Sequence, residues 1–396
     1  TPLDESARRV VMVRPHAAAP SVAESQFARV SLQAWRELGA DPAVLSRAPC
    51  PEPELAERPL IPCNPWFKGA WMRDWRFARG ARQRLARFAP PPFVQSHGLL
   101  PGCDFHWAEE TTRELLNQTP RGSDPVTRLL EAVSWRNQYL LGQERRLYAS
   151  PWLRGVICGA ERVKRELMEY YDFAPGKIHV IRHGIDAARF NLQTRETHRE
   201  SMRRRMNIPP EAVVFLFAAQ DFHRHGLGQL LYAIHHATPP DAILVVAGDD
   251  PRLRDYASVS QWIHIHERTL FVGAWPERES LLGMADALIL PTLYDPAAPV
   301  AMEAMACGLP VLTSPESGAA ELIVHGQSGL ICDAVDEDAL EALVRRLLDA
   351  DERATLGEAG RQAVLPFTRE AAVARMKPLY QQGLEEHAQA VADLPG

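Results

Sequence analysis

None of the six cysteines in the 396-residue chain pairs into a Cys-x-x-Cys, and no apolar run approaches the roughly 18 residues that a membrane-spanning helix needs. Cys50, Cys63, Cys103, Cys158, Cys307 and Cys332 are scattered without metal-ligand spacing, which argues against a zinc module and against a disulfide framework. A reducing compartment is the expectation. The opening residues TPLDESARRV carry no apolar segment of the secretory type, so no signal peptide is expected there. Internal repeats and low-complexity tracts are also missing. With 46% hydrophobic and 24% charged residues, the composition is that of a folded globular protein and far from that of a disordered chain.

What is present points to two domains, because one ordinary core does not grow to this length. The net charge of −6 is unevenly spread: residues 1–185 hold 26 Lys/Arg against 20 Asp/Glu, and residues 186–396 hold 18 against 30. The two halves are expected to meet different partners. Short β-branched runs alternate with helical stretches, the pattern of a parallel sheet covered by helices. In the second half, residues 213–220, 242–250, 270–275, 286–292 and 308–314 read as buried strands, with helices over 277–285 and 336–352. In the first half, strands are expected over 8–15, 91–96, 155–160 and 178–186, and helices over 24–39, 128–150 and 161–171. A hinge is expected near residues 184–200, where periodicity gives way to the polar QTRETHRESMRRR.

One stretch, YDPAAPVAMEAMACGLPVLTS (294–314), places Asp295 and Glu303 on either side of an expected strand-to-helix turn. A helix start at the carboxyl edge of a parallel sheet attracts phosphate through its unpaired N–H groups and dipole. The two carboxylates could then bracket a nucleotide-sugar, the donor sugar by Asp295 and the ribose by Glu303. Equally, Asp295 could simply cap the turn and Glu303 favour the dipole. Spacing alone leaves both open.

The longer run YDPAAPVAMEAMACGLPVLTSPESGAAELIVHGQSGLI (294–331) resembles the signature of retaining GT-B glycosyltransferases of family four, with two acids separated by seven residues. Residues 156–191 resemble that family's interdomain segment, and DFHRHGLGQLLYAIHHA (221–237) its basic phosphate-binding loop. Within the family, VQSHGLLPGCDFHWAEE (94–110) is most similar to enzymes that add glucose to the inner core of lipopolysaccharide. The resemblance implies an α/β chain of GT-B architecture, two Rossmann-like domains facing a cleft. Residues 1–190 would form an acceptor-binding domain and 191–370 a nucleotide-sugar-binding domain, with a C-terminal helix over 371–396 crossing back to the first.

It also implies a transferase that moves a sugar from a UDP-sugar to a saccharide of a bacterial surface glycolipid or polysaccharide. Retention of configuration follows, with no metal and no other cofactor, since no Asp-x-Asp sits at a strand end. A catalytically inactive nucleotide-sugar-binding subunit and a UDP-sugar epimerase of the same architecture are the alternatives. Asp295, Arg224, Glu110 and His97 are the implied catalytic residues, the last two orienting the acceptor hydroxyl. Glu303, His225, Ala298, Pro299, Val300, Val272 and Gly273 are the implied donor-binding residues. For Glu110 a solvated surface acid, and for His97 an ordinary strand-end residue, remain open. The chain departs from the family pattern in three places. His225 stands where a lysine is usual, the first βα loop RPHAAAPSVAES (14–25) has no glycine, and the turn between the acids is Pro296-Ala297-Ala298-Pro299. Because Pro299 has no N–H, those of Ala298 and Val300 are expected to serve the phosphate.

Residues 64–88 interleave Lys68, Arg73, Arg76, Arg79, Arg82, Arg84 and Arg87 with Trp66, Phe67, Trp71, Trp75, Phe77 and Phe88, against the single acid Asp74. Indole rings and guanidinium groups favour the headgroup zone of a bilayer, so peripheral docking at the inner face of a bacterial plasma membrane is the reading. A core helix with a solvated arginine face is the alternative. No nucleic-acid motif accompanies the stretch, and nucleic acid is not expected as a partner.

Overall fold

The computed structural model describes residues 9–15, 21–40, 42–63, 70–118 and 134–393. It divides into two compact units, Thr1–Gly184 with Arg369–Gly396, and Ile185–Thr368. Each is built on one wholly parallel sheet.

In the first unit the strands are β1 (Val10–Arg14), β2 (Ala43–Ser46), β3 (Leu60–Pro62), β4 (Phe93–Ser96), β5 (Phe105–Ala108), β6 (Gly155–Cys158) and β7 (Ile178–Val180), in the order β3-β2-β1-β4-β5-β6-β7. The second unit has β8 (Val214–Ala218), β9 (Ile243–Ala247), β10 (Thr269–Gly273), β11 (Ala287–Leu290), β12 (Val311–Thr313) and β13 (Leu330–Ile331), in the order β10-β9-β8-β11-β12-β13. Strands such as Val-Phe-Leu-Phe-Ala at β8 are almost uniformly apolar because helices cover both faces of a parallel sheet. In each unit the chain winds one way from its first strand and then returns to the other side, so the order reverses beside β1 and beside β8. Ligands of doubly wound folds bind outside the strands' carboxyl ends at such a reversal. That rule picks out the segments after β1 and β4 in one unit, and after β8 and β11 in the other.

Several local expectations differ from what forms. The polar stretch after residue 192 is a helix, Leu192–Arg205, started by a capping box. Asn191 Oδ1 accepts from Thr194 N at 3.2 Å, and Asn191 N donates to Thr194 Oγ1 at 3.2 Å. Its cations are not all solvated: Arg203 is buried and donates to Asp286 Oδ2 at 2.6 Å and to the carbonyls of Met284, Pro210 and Ala212. The helix expected over 336–352 is two, Glu337–Arg346 and Ala350–Val364, because Asp349 caps a new start by accepting from Glu352 N at 2.8 Å. Strands β2, β3, β5 and β13, of two to four residues, are too short to carry a periodicity.

The last helix, Arg369–Ala392, belongs to the first unit. Tyr380 stacks on Trp35 with centroids 3.9 Å apart, and its hydroxyl donates to Ser31 Oγ at 3.0 Å. Farther along, His387 Nδ1 lies 2.8 Å from Asp104 Oδ1, which also accepts from Arg154 Nε at 3.0 Å. Asp104 Oδ2 accepts from Val94 N, so one carboxylate ties the helix to β4.

Burial works against the His387 imidazolium, but the bond to Asp104 and its charge outweigh that and raise the pKa above the ordinary value. A raised histidine contributes stability that is complete below about pH 6.5 and is lost as pH rises through the folded-state pKa. His387→Gln is therefore expected to cost about 2 kcal/mol below pH 6.5 and clearly less at alkaline pH. Urea titrations at the two pH values check it; a deficit that did not shrink with pH would show that the pair is not charged.

Candidate active site

The segment after β8 is built to present Arg224. Asp221 Oδ1 accepts from Arg224 N at 2.9 Å, closing the turn, and Phe222 N donates to Asp250 Oδ2 at 2.7 Å. Arg224 Nε donates to the carbonyl of Tyr294 at 2.6 Å, and the guanidinium lies 5.6 Å from the centre of the Tyr294 ring. Leu293 N in turn donates to the Arg224 carbonyl at 2.7 Å. The two segments at the sheet's reversal, after β8 and after β11, are thereby clipped together. Gly226 makes this possible: its φ is +78°, and a Cβ there would sit 2.0 Å from the Pro291 carbonyl oxygen. Gly226→Ala is expected to cost about 2–3 kcal/mol from the left-handed backbone and the clash together, read as a lower melting temperature of the full chain.

His225 completes the loop. Its Nδ1 is 2.8 Å from the Asp221 carbonyl, which can only accept, so Nδ1 carries a proton. Nε2 lies 3.6 Å from Asp295 Oδ2. Asp295 also accepts from Ala298 N at 3.0 Å. Burial would raise the Asp295 pKa, but the His225 ring, the Arg224 charge and the Ala298 N–H hold it below the ordinary carboxylate value. The structure thus brings Arg224, His225 and Asp295 together, with Asp295 ionised.

The helix Pro299–Ala306 starts beside them, after Ala298 in a left-handed conformation at φ 42° and ψ 47°. The Ala298 N–H is committed to Asp295 and Pro299 has none. Of the three positions expected to meet phosphate, Val300 alone offers an N–H of the kind a helix start leaves unpaired. Glu303 is 1% exposed, and Arg278 grips it with two parallel bonds, Nε to Oε2 at 2.8 Å and Nη2 to Oε1 at 2.7 Å. Burial opposes the Arg278 charge, yet the Glu303 bond and charge raise its pKa, so the guanidinium stays charged. Arg278 was not foreseen: it is a lone cation in ERES (277–280), with no local signal linking it to Glu303. Val272 and Gly273 end β10; Gly273 has φ +69°, and its carbonyl accepts from Gly248 N at 2.9 Å.

In the first unit, His97 follows β4 and Glu110 follows β5, and both line one cavity of ≈ 260 Å³. Arg47, Asp74, Arg136 and Gln143 line it too, and none of these four is marked by a motif. Arg47 Nη2 donates to Asp74 Oδ1 at 2.6 Å, with Arg136 Nε 3.8 Å from Oδ2. His97 is buried, and desolvation, then the charges of Arg14 and His106, hold its pKa well below the ordinary imidazole value. Among the described residues no group of three or more His, Cys, Asp and Glu is arranged to hold a metal ion.

Of the basic aromatic stretch, residues 64–69, including Trp66, Phe67 and Lys68, lie outside the described residues. The rest is the helix Ala70–Leu85 and its continuation. Phe77, Ala78 and Ala81 are buried, while Arg73, Arg76, Arg79, Arg82 and Arg87 are exposed. Trp75 is exposed with Arg79 over its ring at 5.7 Å, and Trp135 is 84% exposed. Among the described residues no helix is long and apolar enough to cross a membrane.

Comparison with known proteins gives two family matches. Residues 27–189 match Glycosyltransferase Family 4, and residues 198–363 match Glycosyl transferases group 1. A glycogen synthase of Mycobacterium tuberculosis is 31% identical over 198 residues, 49% of this chain and 45% of that protein. An N-acetyl-alpha-D-glucosaminyl L-malate synthase of Bacillus anthracis is 30% identical over 151 residues, 38% of this chain and 40% of that protein. The matched part spans less than half the length of these curated relatives. Among solved structures, WaaG, a glycosyltransferase involved in lipopolysaccharide biosynthesis, superposes with TM-score 0.77 at 19% identity, over 92% of this chain and 98% of that one. HepE of Anabaena in complex with UDP-glucose superposes with TM-score 0.70 at 13% identity, over 94% and 99%. Two glycosyltransferase matches laid end to end, on two parallel-sheet Rossmann-like units of the GT-B kind, place this chain among the GT-B glycosyltransferases of family four.

Proposed function

We propose that the chain moves a sugar, with retention of configuration, from a UDP-sugar to a saccharide of a bacterial surface glycolipid or polysaccharide. The observation that carries this is the convergence of Arg224, His225, ionised Asp295 and the first turn of helix Pro299–Ala306 at the reversal of the second sheet. A neighbour of the same fold is solved with UDP-glucose, which supports the donor class, and another is described as acting in lipopolysaccharide biosynthesis, which supports the acceptor class.

The chemistry follows from where charge develops. As the C1–O bond to the diphosphate breaks, negative charge builds on the departing oxygens, and fixed donors aimed at that charge lower the barrier. Arg224, fixed in place by its Nε bond to the Tyr294 carbonyl, supplies the positive charge for the departing phosphate, with the Val300 N–H and, when protonated, His225 Nε2 as further donors. The acceptor oxygen attacks C1 on the face the diphosphate leaves, and its proton passes to the departing phosphate oxygen. No enzymic nucleophile is required. Asp295 receives donor-sugar hydroxyls, Glu303 the ribose hydroxyls in an orientation set by Arg278, and the backbone at Val272 and Gly273 the base. His97 and Glu110 hold the acceptor in the cavity of the first unit. No metal or further cofactor enters these steps. The exposed arginines of helix Ala70–Leu85, with Trp75 and Trp135, support peripheral contact with an anionic membrane surface at the cytoplasmic face.

The test is a thermal-shift screen of the full chain against UDP-, GDP-, ADP- and dTDP-sugars, followed by NMR of the products. UDP-sugar stabilisation with anomer-retaining transfer supports the proposal. Binding without turnover indicates an inactive binding subunit, and an isomerised nucleotide-sugar without acceptor indicates an epimerase. Stabilisation only by another nucleotide class overturns the donor assignment.

A further inference from the structure

The protonation of His97 can be derived from its neighbours. Its ring sits against Phe27 and Trp107, with centroids 5.5 and 5.6 Å away. Nε2 lies 3.1 Å from Gln95 Nε2, and Nδ1 is buried without a hydrogen-bond partner among the described residues. Gln95 is itself fully buried, so the way its amide faces matters. The indole N–H of Trp35 can only donate, and it lies 2.9 Å from Gln95 Oε1. Turning the amide over would set donor against donor in a buried site. The Gln95 NH2 therefore faces away from Trp35 and donates to Ser31 Oγ, at 3.0 Å, and to His97 Nε2. Ser31 Oγ also receives the Tyr380 hydroxyl, which makes it an acceptor in this network. A ring nitrogen that accepts a hydrogen bond carries no proton, and a neutral imidazole then carries its proton on Nδ1.

We infer that Trp35, by orienting Gln95, locks His97 as the Nδ1–H form, which makes the ring a fixed hydrogen-bond donor to an acceptor-sugar oxygen and not a general base. The occupant of the cavity rests on the proposed function; the tautomer does not. Trp35 and Gln95 are positioning residues in this scheme.

The rest of the cavity matches a neutral polyhydroxyl ring. At ≈ 260 Å³ it has the volume of several waters, each about 30 Å³ in the liquid. Leu99, Leu100 and Leu115 give it apolar walls, and Gln143, buried, has its Oε1 without a partner among the described residues. A donor at His97 and an acceptor at Gln143 suit hydroxyls, which both accept and donate, and the lining cations Arg47 and Arg136 are placed against Asp74. Because a His97 that only donates cannot remove the acceptor's proton, that proton is left to the departing phosphate oxygen.

Long-range proton–nitrogen correlation NMR on the full chain reads the tautomer directly, with His97 assigned by its loss in His97→Asn. A protonated Nδ1 and a bare Nε2 around pH 7 are expected; a protonated Nε2, or an imidazolium, overturns the inference. Gln95→Glu accepts from both Trp35 and His97, and is expected to reverse the pattern. Should that variant not fold, Trp35→Phe frees the amide to turn and is expected to give both forms. In transfer from UDP-glucose to deacylated lipopolysaccharide core oligosaccharide, His97→Asn keeps a donor near Nδ1 and is expected to hold the acceptor KM within about threefold. His97→Leu and Gln95→Glu are expected to raise it about tenfold with the donor KM unchanged. If His97→Leu matches the unaltered chain, the ring does not touch the acceptor. Failure of the unaltered chain to transfer at all would count against the proposed function, and the NMR result would stand apart from it.

Discussion

Arg224→Ala is expected to lower kcat about 10³-fold while leaving the shift in melting temperature caused by a UDP-sugar largely in place. Two features of the geometry set that size. First, the guanidinium is oriented before any ligand arrives, by its Nε bond to the Tyr294 carbonyl and its position against the Tyr294 ring. A pre-oriented donor loses little on meeting charge that appears only as the C1–O bond breaks, and removing one such donor typically costs about 2.7–4 kcal/mol of barrier. Second, the neighbouring position is a histidine, so no second permanent cation stands beside it in the loop. Arg224→Lys keeps the charge but loses the planar guanidinium whose Nε is bonded to the Tyr294 carbonyl; an intermediate loss of about tenfold to a hundredfold is expected. The measurement is steady-state transfer with saturating donor. A full kcat in Arg224→Ala would move the leaving-group site elsewhere. Equal losses of kcat and of donor binding would mean that Arg224 holds the ground state as strongly as the transition state.

How far the sequence led depended on the distance between the residues that meet. Asp295 and Glu303 fall within one strand-to-helix turn, and Arg224 in one loop, so local spacing together with the family resemblance could find them. The strands β8, β9 and β11 are continuous apolar runs and were legible for the same reason. Arg278 and Glu303 are 25 positions apart, Trp35 and Gln95 are 60 apart, and Asp104 and His387 are 283 apart. Each pair is made by the sheet order, which no local pattern carries. The turn Pro296-Ala297-Ala298-Pro299 shows the opposite failure. Its missing N–H at Pro299 was readable, but the diversion of the Ala298 N–H to Asp295 depends on a left-handed φ that alanine seldom adopts. The helix Leu192–Arg205 escaped because its polarity is that of a solvated segment, until Asp286 and three backbone carbonyls claim Arg203.

The largest stability effect is expected at Arg14, the last residue of β1. It is wholly buried, donates to both Glu52 oxygens at 2.9 Å and gives Nε to Glu24 Oε1 at 3.1 Å. Burial alone would raise both glutamates. At Glu24 it prevails over the Arg14 charge and the pKa is raised; at Glu52 the Arg14 bond and charge prevail and the pKa is lowered. Arg14→Met keeps the volume and removes the cation, leaving two carboxylates in a site that offers them little else. Breaking one side of a buried ion pair costs about 3–5 kcal/mol, and that is the expected loss at neutral pH. The sign of its pH dependence follows from the remaining groups. Without Arg14 both carboxyls have folded-state pKa values above their unfolded ones, so the native state binds more protons and its stability falls as pH rises through that window. The deficit of Arg14→Met should therefore be smaller in mild acid than at alkaline pH, and Arg14→Met with Glu52→Gln should recover part of it, because the pair is coupled. Denaturant titrations of the single and double variants measure all three quantities. A loss under about 1 kcal/mol at neutral pH would fall in the range of exposed ion pairs, and would mean that water reaches these carboxylates in solution.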